Sequence, residues 1–296
     1  MKVLVTGATG FVGPKVANAI VDAGHEVRVL ERKPGSWRDA GIRCQEAAQG
    51  DMTDADSLNR AAEGREVVVH LVAIRQGSRQ QFERIMIEGT RNLLAAAEAA
   101  GAKRFVLMSA LGTSDATKDL TPYYRSKWEM ERAVAESALE HVVFRPSFVF
   151  GPDGGALPTF MRLVRYLPAI PVMGSGRTRL QPIWVEDVAS YFCQAVDLPA
   201  AANRTFEIGG PDAVSWNELY DRIKSALGKR RPKVHLPFGL MRVNAAVLEA
   251  LPGPTPVTRD QLKMLQAGDN VCDNGAALEA FDVDLVPLTE QLRRAA

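Results

Sequence analysis

The segment Thr121–Lys127 reads TPYYRSK and places Tyr123 four residues before Lys127. Residues four apart lie on one face of a helix, so these two side chains can meet if the segment is helical. A tyrosine with its ordinary pKa of about 10 needs a nearby cation to move a proton near neutral pH. The spacing therefore predicts a proton-transfer pair, with two ordinary residues of an amphipathic helix as the alternative. Tyr124 lacks this spacing.

A glycine-rich loop follows the first apolar run, with glycine at every third position in Gly7, Gly10 and Gly13. Gly7 can form a tight turn, Gly10 leaves room for a diphosphate beside the backbone, and Gly13 lets the next helix pack closely on the sheet. The start of a helix also attracts anions. The loop therefore predicts a dinucleotide site, with a plain tight turn as the alternative. Its other expected cofactor contacts are Thr9, Phe11 and Val12.

The residues after the second strand are expected to meet the adenosine ribose of such a dinucleotide. Glu31 could accept hydrogen bonds from a free 2′-hydroxyl, whereas Arg32 and Lys33 could pair with a 2′-phosphate. Two cations against one carboxylate favour NADP(H) over NAD(H), and a solvated strand end is the alternative. After the third strand, Asp51 could accept from the adenine amino group or simply open a turn, and Met52 follows it.

These residues are spaced along a regular alternation of strands and helices. Apolar residues at helical spacing mark 11–23, 54–63, 80–100 and 124–140. Six strand-like runs accompany them, at 2–5, 26–30, 42–47, 66–74, 103–110 and 141–147. They are mostly continuously apolar, as in a sheet covered on both faces. The pattern predicts an α/β fold with a Rossmann-like, doubly wound parallel sheet.

A change of rhythm near residue 150 predicts a second, smaller domain. The break at Gly151–Gly155 is followed by closely spaced prolines. We expect a dinucleotide-binding Rossmann domain over 1–150 and a smaller mixed substrate or docking domain over 151–296. Segments near 182–210 are expected to return to the first domain, because PIWV reads as a strand that leads into a helix.

Composition argues against several classes of function. The 296 residues carry 36 basic and 35 acidic side chains, and no run of like charge predicts a nucleic-acid partner. Three cysteines and four histidines are dispersed, so no metal site is predicted. No signal peptide is predicted, and no apolar run reaches the roughly 18 residues of a membrane span. We expect a cytoplasmic protein, with peripheral attachment at the inner face of the membrane as a variant.

Several motifs stand in the order of a known family, namely the glycine loop, Gly50-Asp51-Met52, His70-Leu71-Val72-Ala73, Tyr123 with Lys127, and Arg145-Pro146-Ser147. Over about residues 1–210 the chain resembles the extended short-chain dehydrogenase/reductases of the NAD-dependent epimerase/dehydratase superfamily. The resemblance implies that the tyrosine donates or accepts the reacting proton. The lysine would bind the nicotinamide ribose and lower the tyrosine's pKa. The further cofactor contacts it implies are Leu71, Val72, Ala73, and, beside the nicotinamide, Pro146 and Ser147.

The chain departs from this family at two supporting positions. Ala110 stands where a serine or threonine usually bonds the reacting carbonyl oxygen, and Met86 stands where an asparagine usually holds a water near the lysine. Loss of one donor to a developing oxyanion costs about 10²–10³ in rate. Dehydrogenase chemistry would then use Ser109, Thr113 or Ser114, or be slow or absent. We expect Ser109 as the substitute.

The tail extends the resemblance over nearly the whole chain. The motifs that carry it are Tyr123–Lys127, Gln181–Val188, Pro256–Leu262 and Asp269–Val271. They make the chain similar to the nucleotide-binding accessory subunit of respiratory complex I and its free-standing bacterial relatives. That group binds NADP(H) or NAD(H) firmly. For the tail motif itself, an amphipathic helix with a polar cap is the alternative.

Three functions remain open from the sequence. The first is an NAD(P)-dependent oxidoreductase or epimerase acting on a small carbonyl or nucleotide-sugar substrate, with Arg177 and Arg179 as candidate anion contacts or merely solvated loop charges. The second is a cofactor-loaded accessory protein that docks on a respiratory or quinone-related complex. Its docking face would lie in the apolar segment 234–252, although a buried core is the more frequent explanation. The third is an NADP(H)-sensing regulator.

Overall fold

Short β-branched runs of the chain form one parallel sheet in the computed structural model, which describes residues 1–239 and 258–296. The chain divides into two compact units. Unit 1 comprises Met1–Pro146, Val185–Ile208 and Asp273–Asp284. Unit 2 comprises Ser147–Trp184, Gly209–Cys272 and Leu285–Ala296. Helices and strands are numbered below in chain order.

Unit 1 contains a seven-stranded parallel sheet. Its strands are β1 (Lys2–Thr6), β2 (Glu26–Glu31), β3 (Glu46–Gln49), β4 (Val67–His70), β5 (Arg104–Met108), β6 (Glu140–Pro146) and β11 (Arg204–Ile208). They lie in the order β11-β6-β5-β4-β1-β2-β3. The strand order reverses between β1 and β4, the point where doubly wound sheets bind their ligands. The predicted fold class is confirmed.

Helices flank this sheet. They are α1 (Gly13–Asp22), α2 (Ser36–Asp39), α3 (Ala55–Ala62), α4 (Arg79–Phe82), a π-helix (Glu83–Glu88), α5 (Gly89–Ala99), α6 (Pro122–Glu136), α8 (Val185–Gln194), a 3₁₀ turn (Pro199–Ala201) and α11 (Gly275–Ala280). Buried residues of α3, α5 and α6 share one apolar cluster with the strands, while α1 packs against α8.

Two sequence expectations were wrong in detail. The third strand begins at Glu46, four residues later than predicted, because the parallel register pairs Arg28 with Glu46. Ile42 precedes the strand and is buried as a loop residue. The predicted single helix over 80–100 is divided by the π-helix, in which one turn has wider backbone spacing. Such turns are frequent at functional sites.

Unit 2 is built from short strands and helices. Its strands are β7 (Val149–Phe150), β8 (Ile170–Met173), β9 (Arg179–Leu180), β10 (Ile183–Trp184), β12 (Val214–Ser215) and β13 (Lys233–Leu236). Its helices are α7 (Leu157–Tyr166), α9 (Trp216–Ala226), α10 (Arg259–Gln266) and α12 (Leu288–Ala295). The strands pair as β7 with β10, β8 with β13 and, antiparallel, β9 with β12. Residues 240–252 of the expected docking face and Pro256-Val257 of the tail motif lie outside the described residues.

A late segment of the chain completes the core of unit 1. Phe281 follows α11 and is 3% exposed. Its ring centroid lies 5.4 Å from Phe144 on β6, 5.4 Å from Tyr191 on α8 and 5.0 Å from Phe206 on β11. Aromatic pairs at such separations stabilise a core beyond the area that they bury. Phe281 therefore anchors the returning segment to the sheet.

We predict that Phe281→Ala lowers the free energy of unfolding by about 3–5 kcal/mol, because it leaves a cavity among three aromatic rings. Urea unfolding followed by circular dichroism measures the change. The control is Leu278→Ala in the preceding helix α11. Leu278 is 46% exposed, so its replacement should cost less than about 0.5 kcal/mol. Similar losses in the two variants would contradict the anchoring role.

Candidate functional site

The glycine loop joins β1 to α1 at the switch point of the sheet. Gly7 has φ +75°, a conformation that favours glycine. A Cβ on Gly7 would also lie 2.8 Å from the backbone nitrogen of Val72, just after β4. A Cβ on Gly13 would lie 2.2 Å from the carbonyl oxygen of Ala8. Both glycines are therefore required by the protein's own backbone, and Gly13 makes its close approach to the loop itself.

Gly10 differs from the other two glycines. A Cβ on Gly10 would meet one atom within 4 Å, the carbonyl oxygen of Gly7 at 3.2 Å. Thr9 and Gly10 are exposed, and α1 begins three residues later. This bare backbone before a ten-residue helix fits the diphosphate of a dinucleotide. The remaining predicted contacts of the loop and the β4 end are Phe11 and Val72, both half-buried, Val12 and Leu71, both buried, and Ala73, which is exposed.

Glu31 at the end of β2 is occupied by its own loop. Its carboxylate accepts hydrogen bonds from the backbone nitrogens of Gly35 (2.9 Å) and Trp37 (3.2 Å) and from the Ser36 hydroxyl (3.0 Å). Burial raises the pKa of Glu31, but these hydrogen bonds outweigh burial and hold the pKa below its ordinary value. The carboxylate therefore has few free positions for a ribose hydroxyl.

Arg32 and Lys33 are both exposed next to Glu31. Arg32 lines a cleft together with Asp51, Asp54 and Arg60. The Asp51 carboxylate accepts from the backbone nitrogen (2.9 Å) and the hydroxyl (2.7 Å) of Thr53. The turn-forming alternative for Asp51 is therefore realised, although Asp51 still borders the cleft. The next residue, Met52, is buried in the apolar cluster.

The tyrosine and lysine lie on one helix, α6, as their spacing predicts. Thr121 caps this helix by accepting from the backbone nitrogen of Tyr124 at 3.1 Å. The Lys127 ammonium nitrogen lies 5.9 Å from the centroid of the Tyr123 ring. It donates to the carbonyl oxygen of Met108, the last residue of β5, at 2.6 Å. Lys127 is 1% exposed, so its charge lies almost wholly out of water.

Burial shifts the pKa values of this pair in opposite directions. Burial lowers the pKa of Lys127 to about 7, although the charge of Glu131 works against the shift. Burial raises the pKa of Tyr123 to about 12. Each group therefore favours its neutral form more than in water. At neutral pH Tyr123 therefore carries its proton, and Lys127 lies near the midpoint between its charged and neutral forms.

Glu131, one turn beyond Lys127, is the centre of a polar cluster that sequence reasoning missed. Arg145 on β6 donates to both carboxylate oxygens, at 3.0 Å from Nε and 2.6 Å from Nη2. The Ser109 hydroxyl also donates to Glu131. The proton that Ser109 was predicted to offer a substrate is thus committed inside the protein. The signal available in the sequence was the spacing of Glu131, four residues after Lys127.

The other proposed substitutes for the missing donor also have partners. Thr113 donates to the carbonyl oxygen of Ala110 at 2.8 Å, and the hydroxyls of Ser114 and Thr117 lie 3.0 Å apart. Ala110 contributes no hydroxyl. By contrast, the hydroxyl of the half-buried Tyr123 has no hydrogen-bond partner among residues 1–239 and 258–296.

Met86 lies in the π-helix and is fully buried in the apolar cluster. The Thr90 hydroxyl donates to the Met86 carbonyl oxygen at 2.5 Å and lies 3.1 Å from Nε2 of His70. Because that hydroxyl proton is used, Thr90 accepts from His70, which fixes the proton on Nε2. Nδ1 of His70 then accepts from the Thr6 hydroxyl at 2.6 Å. A hydrogen-bonded chain therefore links the end of β1, just before the glycine loop, to the π-helix.

In unit 2 the predicted residues have different partners. The hydroxyl of Ser147, just after Pro146 at the end of β6, donates to the side-chain oxygen of Asn270 at 2.6 Å. Arg179 donates to Asp269 at 2.8 Å. Arg177 forms no ion pair with any residue that the structure describes. The tail residues Asp269 and Asn270 thus bind inside unit 2, a role that their sequence did not reveal.

Within 1–239 and 258–296, no group of three His, Cys, Asp or Glu residues is arranged to hold a metal ion. Over the same residues, every helix is too short or too polar to span a bilayer.

In a comparison with known proteins, residues 3–209 match the family model described as NAD dependent epimerase/dehydratase family. The chain is 29% identical over 299 residues to NADH dehydrogenase (ubiquinone) 1 alpha subcomplex subunit 9, mitochondrial, of Arabidopsis thaliana, covering 96% of this chain and 73% of that protein. It is 30% identical over 250 residues to ceramide reductase of Caulobacter vibrioides, and the match covers 83% of this chain and 77% of that protein.

A solved structure shares the fold. The NADPH-dependent quinone oxidoreductase of Escherichia coli, solved with NADPH, aligns over 98% of each chain with a TM-score of 0.79. Its sequence identity is 18%, so this likeness concerns the fold alone. The resemblance to complex I accessory subunits inferred from the motifs is confirmed by the relatives, which include that subunit from plants and rodents.

We predict that His70→Gln reduces the loss of stability between pH 7 and pH 5. Burial lowers the pKa of His70 to about 3. Below about pH 6.5 the unfolded chain therefore binds a proton at His70, whereas the folded chain stays neutral there. Stability therefore falls as pH drops through this window, by on the order of 2 kcal/mol at pH 5. Urea unfolding at several pH values measures it, and a variant with the parent's pH dependence would contradict a buried, neutral histidine.

Proposed function

Because this chain belongs to the NAD dependent epimerase/dehydratase family, we propose that it is an NAD(P)-dependent oxidoreductase or epimerase in which Tyr123 transfers the reacting proton. The observation that carries the proposal is the pair on α6, a half-buried Tyr123 and a buried Lys127. Lys127 is held at the end of β5 by the Met108 carbonyl, 5.9 Å from the Tyr123 ring. Substrates bind at this edge of doubly wound sheets.

Different residues of the chain would bind different parts of the cofactor. Gly10 and the start of α1 would bind the diphosphate, and Lys127 would bind the nicotinamide ribose. The bound dinucleotide supplies a ring that accepts or delivers hydride. Tyr123 is protonated at neutral pH because burial raises its pKa to about 12. It is therefore poised to donate a proton to a carbonyl oxygen, the role of a general acid in reduction.

We further propose NADP(H) as the preferred cofactor. Glu31 is engaged by Gly35, Ser36 and Trp37, which weakens its competition for a ribose. Arg32 is exposed and faces the cleft that Arg60 also lines. Guanidinium groups bind phosphate through charge-assisted hydrogen bonds. The arrangement favours a 2′-phosphate over a 2′-hydroxyl.

We predict that Arg32→Ser raises the Kd for NADPH about ten- to a hundredfold, the loss expected for one hydrogen bond to a charged group. The Kd for NADH should change by less than about threefold, because NADH lacks the phosphate. Calorimetric titration of both dinucleotides measures the ratio. The control is Arg43→Ser, an exposed arginine paired with Asp22. Equal effects on NADH and NADPH would argue against the NADP(H) assignment.

The substrate class that we propose is a small carbonyl compound or a nucleotide sugar. Arg177, exposed in unit 2, is a candidate contact for an anionic substrate. Arg179 is less suited because Asp269 already neutralises it. A reductase is favoured by one relative, the ceramide reductase, which is named for reduction.

We predict that Tyr123→Phe lowers turnover about 10²- to 10⁴-fold, because it removes the general acid, and leaves the Kd for NADPH nearly unchanged. Activity is measured by NADPH oxidation against a panel of ketones and quinones, and by epimerisation of uridine-diphosphate sugars. The matched control is Tyr124→Phe, which removes a neighbouring hydroxyl that donates to the Leu111 carbonyl at 3.2 Å. A Tyr123→Phe variant as active as the parent would overturn the proposal.

A second function is supported by polar groups near Tyr123 that are already hydrogen-bonded inside the protein. Ser109 donates to Glu131, and Met86 is buried where the family places an asparagine. A protein with these replacements could bind its cofactor without turning over, as an accessory or assembly subunit of a respiratory or quinone-related complex. The similarity over 96% of the chain to a complex I subunit supports this reading. Firm NADPH binding with no turnover in the panel would favour it.

A further inference from the structure

The whole-chain charge of +1 conceals two opposite charges. Unit 1 contains 21 lysines and arginines and 27 aspartates and glutamates, a formal charge of −6. Unit 2 contains 15 basic and 8 acidic residues, a formal charge of +7. Electrostatic attraction of a partner depends on where charges lie, because salt screens them within about 10 Å. Unit 2 therefore has the field of a basic protein.

Much of this positive charge gathers where helices of unit 2 end. The backbone nitrogen of Ile170, which begins β8 after α7, donates to the carbonyl oxygen of Pro232 at 2.8 Å. Lys233 pairs with Ile170 in the parallel register. The basic segment Lys229–Lys233 therefore lies beside the connection that leaves α7, whose last turns carry Arg162 and Arg165.

The end of α12 joins the same region. Arg165 donates to the backbone oxygen of Ala296 at 3.2 Å, and α12 packs on α9, from which the segment 229–233 continues. We name this region the basic end. Its cations are Arg162, Arg165, Lys229, Arg230, Arg231, Lys233, Arg293 and Arg294.

Acidic groups neutralise only part of the basic end. Asp221 binds Lys233 at 2.6 Å, and Glu290 binds Arg293 and Arg294 at 2.6 and 2.9 Å. By contrast, Lys229, Arg230 and Arg231 form no ion pair within 1–239 or 258–296. The buried Nε of Arg231 also lacks a hydrogen-bond partner among these residues. The exposed cations Lys229 and Arg230 are therefore left to meet an external anion.

Apolar side chains are exposed among these cations. Tyr166, the last residue of α7, is 72% exposed, and Val234, next to Lys233, is 46% exposed. Exposed tyrosine beside lysine and arginine is typical of surfaces at the lipid headgroup level, where the ring lies in the interface and the cations meet phosphate. Each cation near an anionic bilayer contributes about 1 kcal/mol.

We propose that the basic end of unit 2 binds the surface of an anionic lipid bilayer. The cations contact lipid phosphates and Tyr166 enters the headgroup layer. This interaction goes beyond the proposed chemistry and does not require Tyr123 or a bound cofactor. It attaches the protein to the membrane from one side and leaves the sheet of unit 1 folded as described.

The test is flotation of the full chain with vesicles of phosphatidylcholine and phosphatidylglycerol, and with vesicles of phosphatidylcholine alone. We expect binding to the anionic vesicles, weakened by salt. The combined variant Arg162→Ala, Lys229→Ala, Arg230→Ala changes three exposed cations and should reduce partitioning about tenfold or more. The control variant Lys2→Ala, Arg79→Ala, Lys103→Ala removes the same charge from exposed positions of unit 1 and should reduce it less than about threefold.

A second arm tests the apolar contact. Tyr166→Ser should reduce partitioning several-fold, whereas Leu278→Ser, an exposed apolar position of unit 1, should leave it as in the parent. Failure of the parent to bind anionic vesicles would overturn the proposal, as would equal losses in the basic-end and control variants. Binding to a single-stranded oligonucleotide but to no vesicle would also overturn it in favour of a nucleic-acid partner. Turnover in the Tyr123 experiments is read independently of these outcomes.

Discussion

A lysine ammonium buried at the end of β5 is the constraint on which the candidate site depends. Taking a charge out of water is costly unless it is paired and hydrogen-bonded. Lys127 meets part of this demand through the Met108 carbonyl at 2.6 Å and the nearby charge of Glu131, although burial still lowers its pKa to about 7. Glu131 in turn needs Arg145, whose guanidinium reaches both of its oxygens. The helix α6 is thereby fixed against both β5 and β6, and Tyr123 is fixed with it.

The same need for internal hydrogen bonds explains why few polar groups near the pair are free to bind a ligand. Ser109 satisfies Glu131, and Thr90 satisfies both the π-helix carbonyl of Met86 and His70. A buried polar group that is already bonded inside the protein loses that bond if it turns to a ligand. Tyr123 and Lys127, the pair that we propose for proton transfer, therefore have few neighbouring polar groups that are free to assist them. This arrangement is compatible with a cofactor-binding protein whose chemistry depends on one tyrosine.

The sequence predicted those features that depend on local pattern. Apolar runs identified five of the seven strands and placed the start of a sixth, β3, four residues too early. The spacing of Gly7 and Gly13 identified a loop that tolerates no Cβ at either position. Features that depend on distant partners were missed. Glu31 is engaged by residues 35–37, Asn270 binds Ser147 across more than a hundred residues of sequence, and Ser109 binds Glu131. Composition alone could not place such pairs. The net charge of the chain did not reveal the basic unit 2, because the opposite charges of the two units cancel in the total.

The tail motif has a structural role within unit 2 that is independent of any partner. Thr258 and Gln261 form a capping box at the start of α10, and Asn270 exchanges backbone hydrogen bonds with Arg179 and Gln181. These residues stabilise unit 2 from within, so a relative needs them whether or not it binds a complex. Similarity in the tail therefore argues for a shared unit 2 fold. A partner must instead be recognised by groups that the unit leaves unsatisfied, and in the described part of unit 2 those include Lys229, Arg230 and the exposed Tyr166 of the basic end.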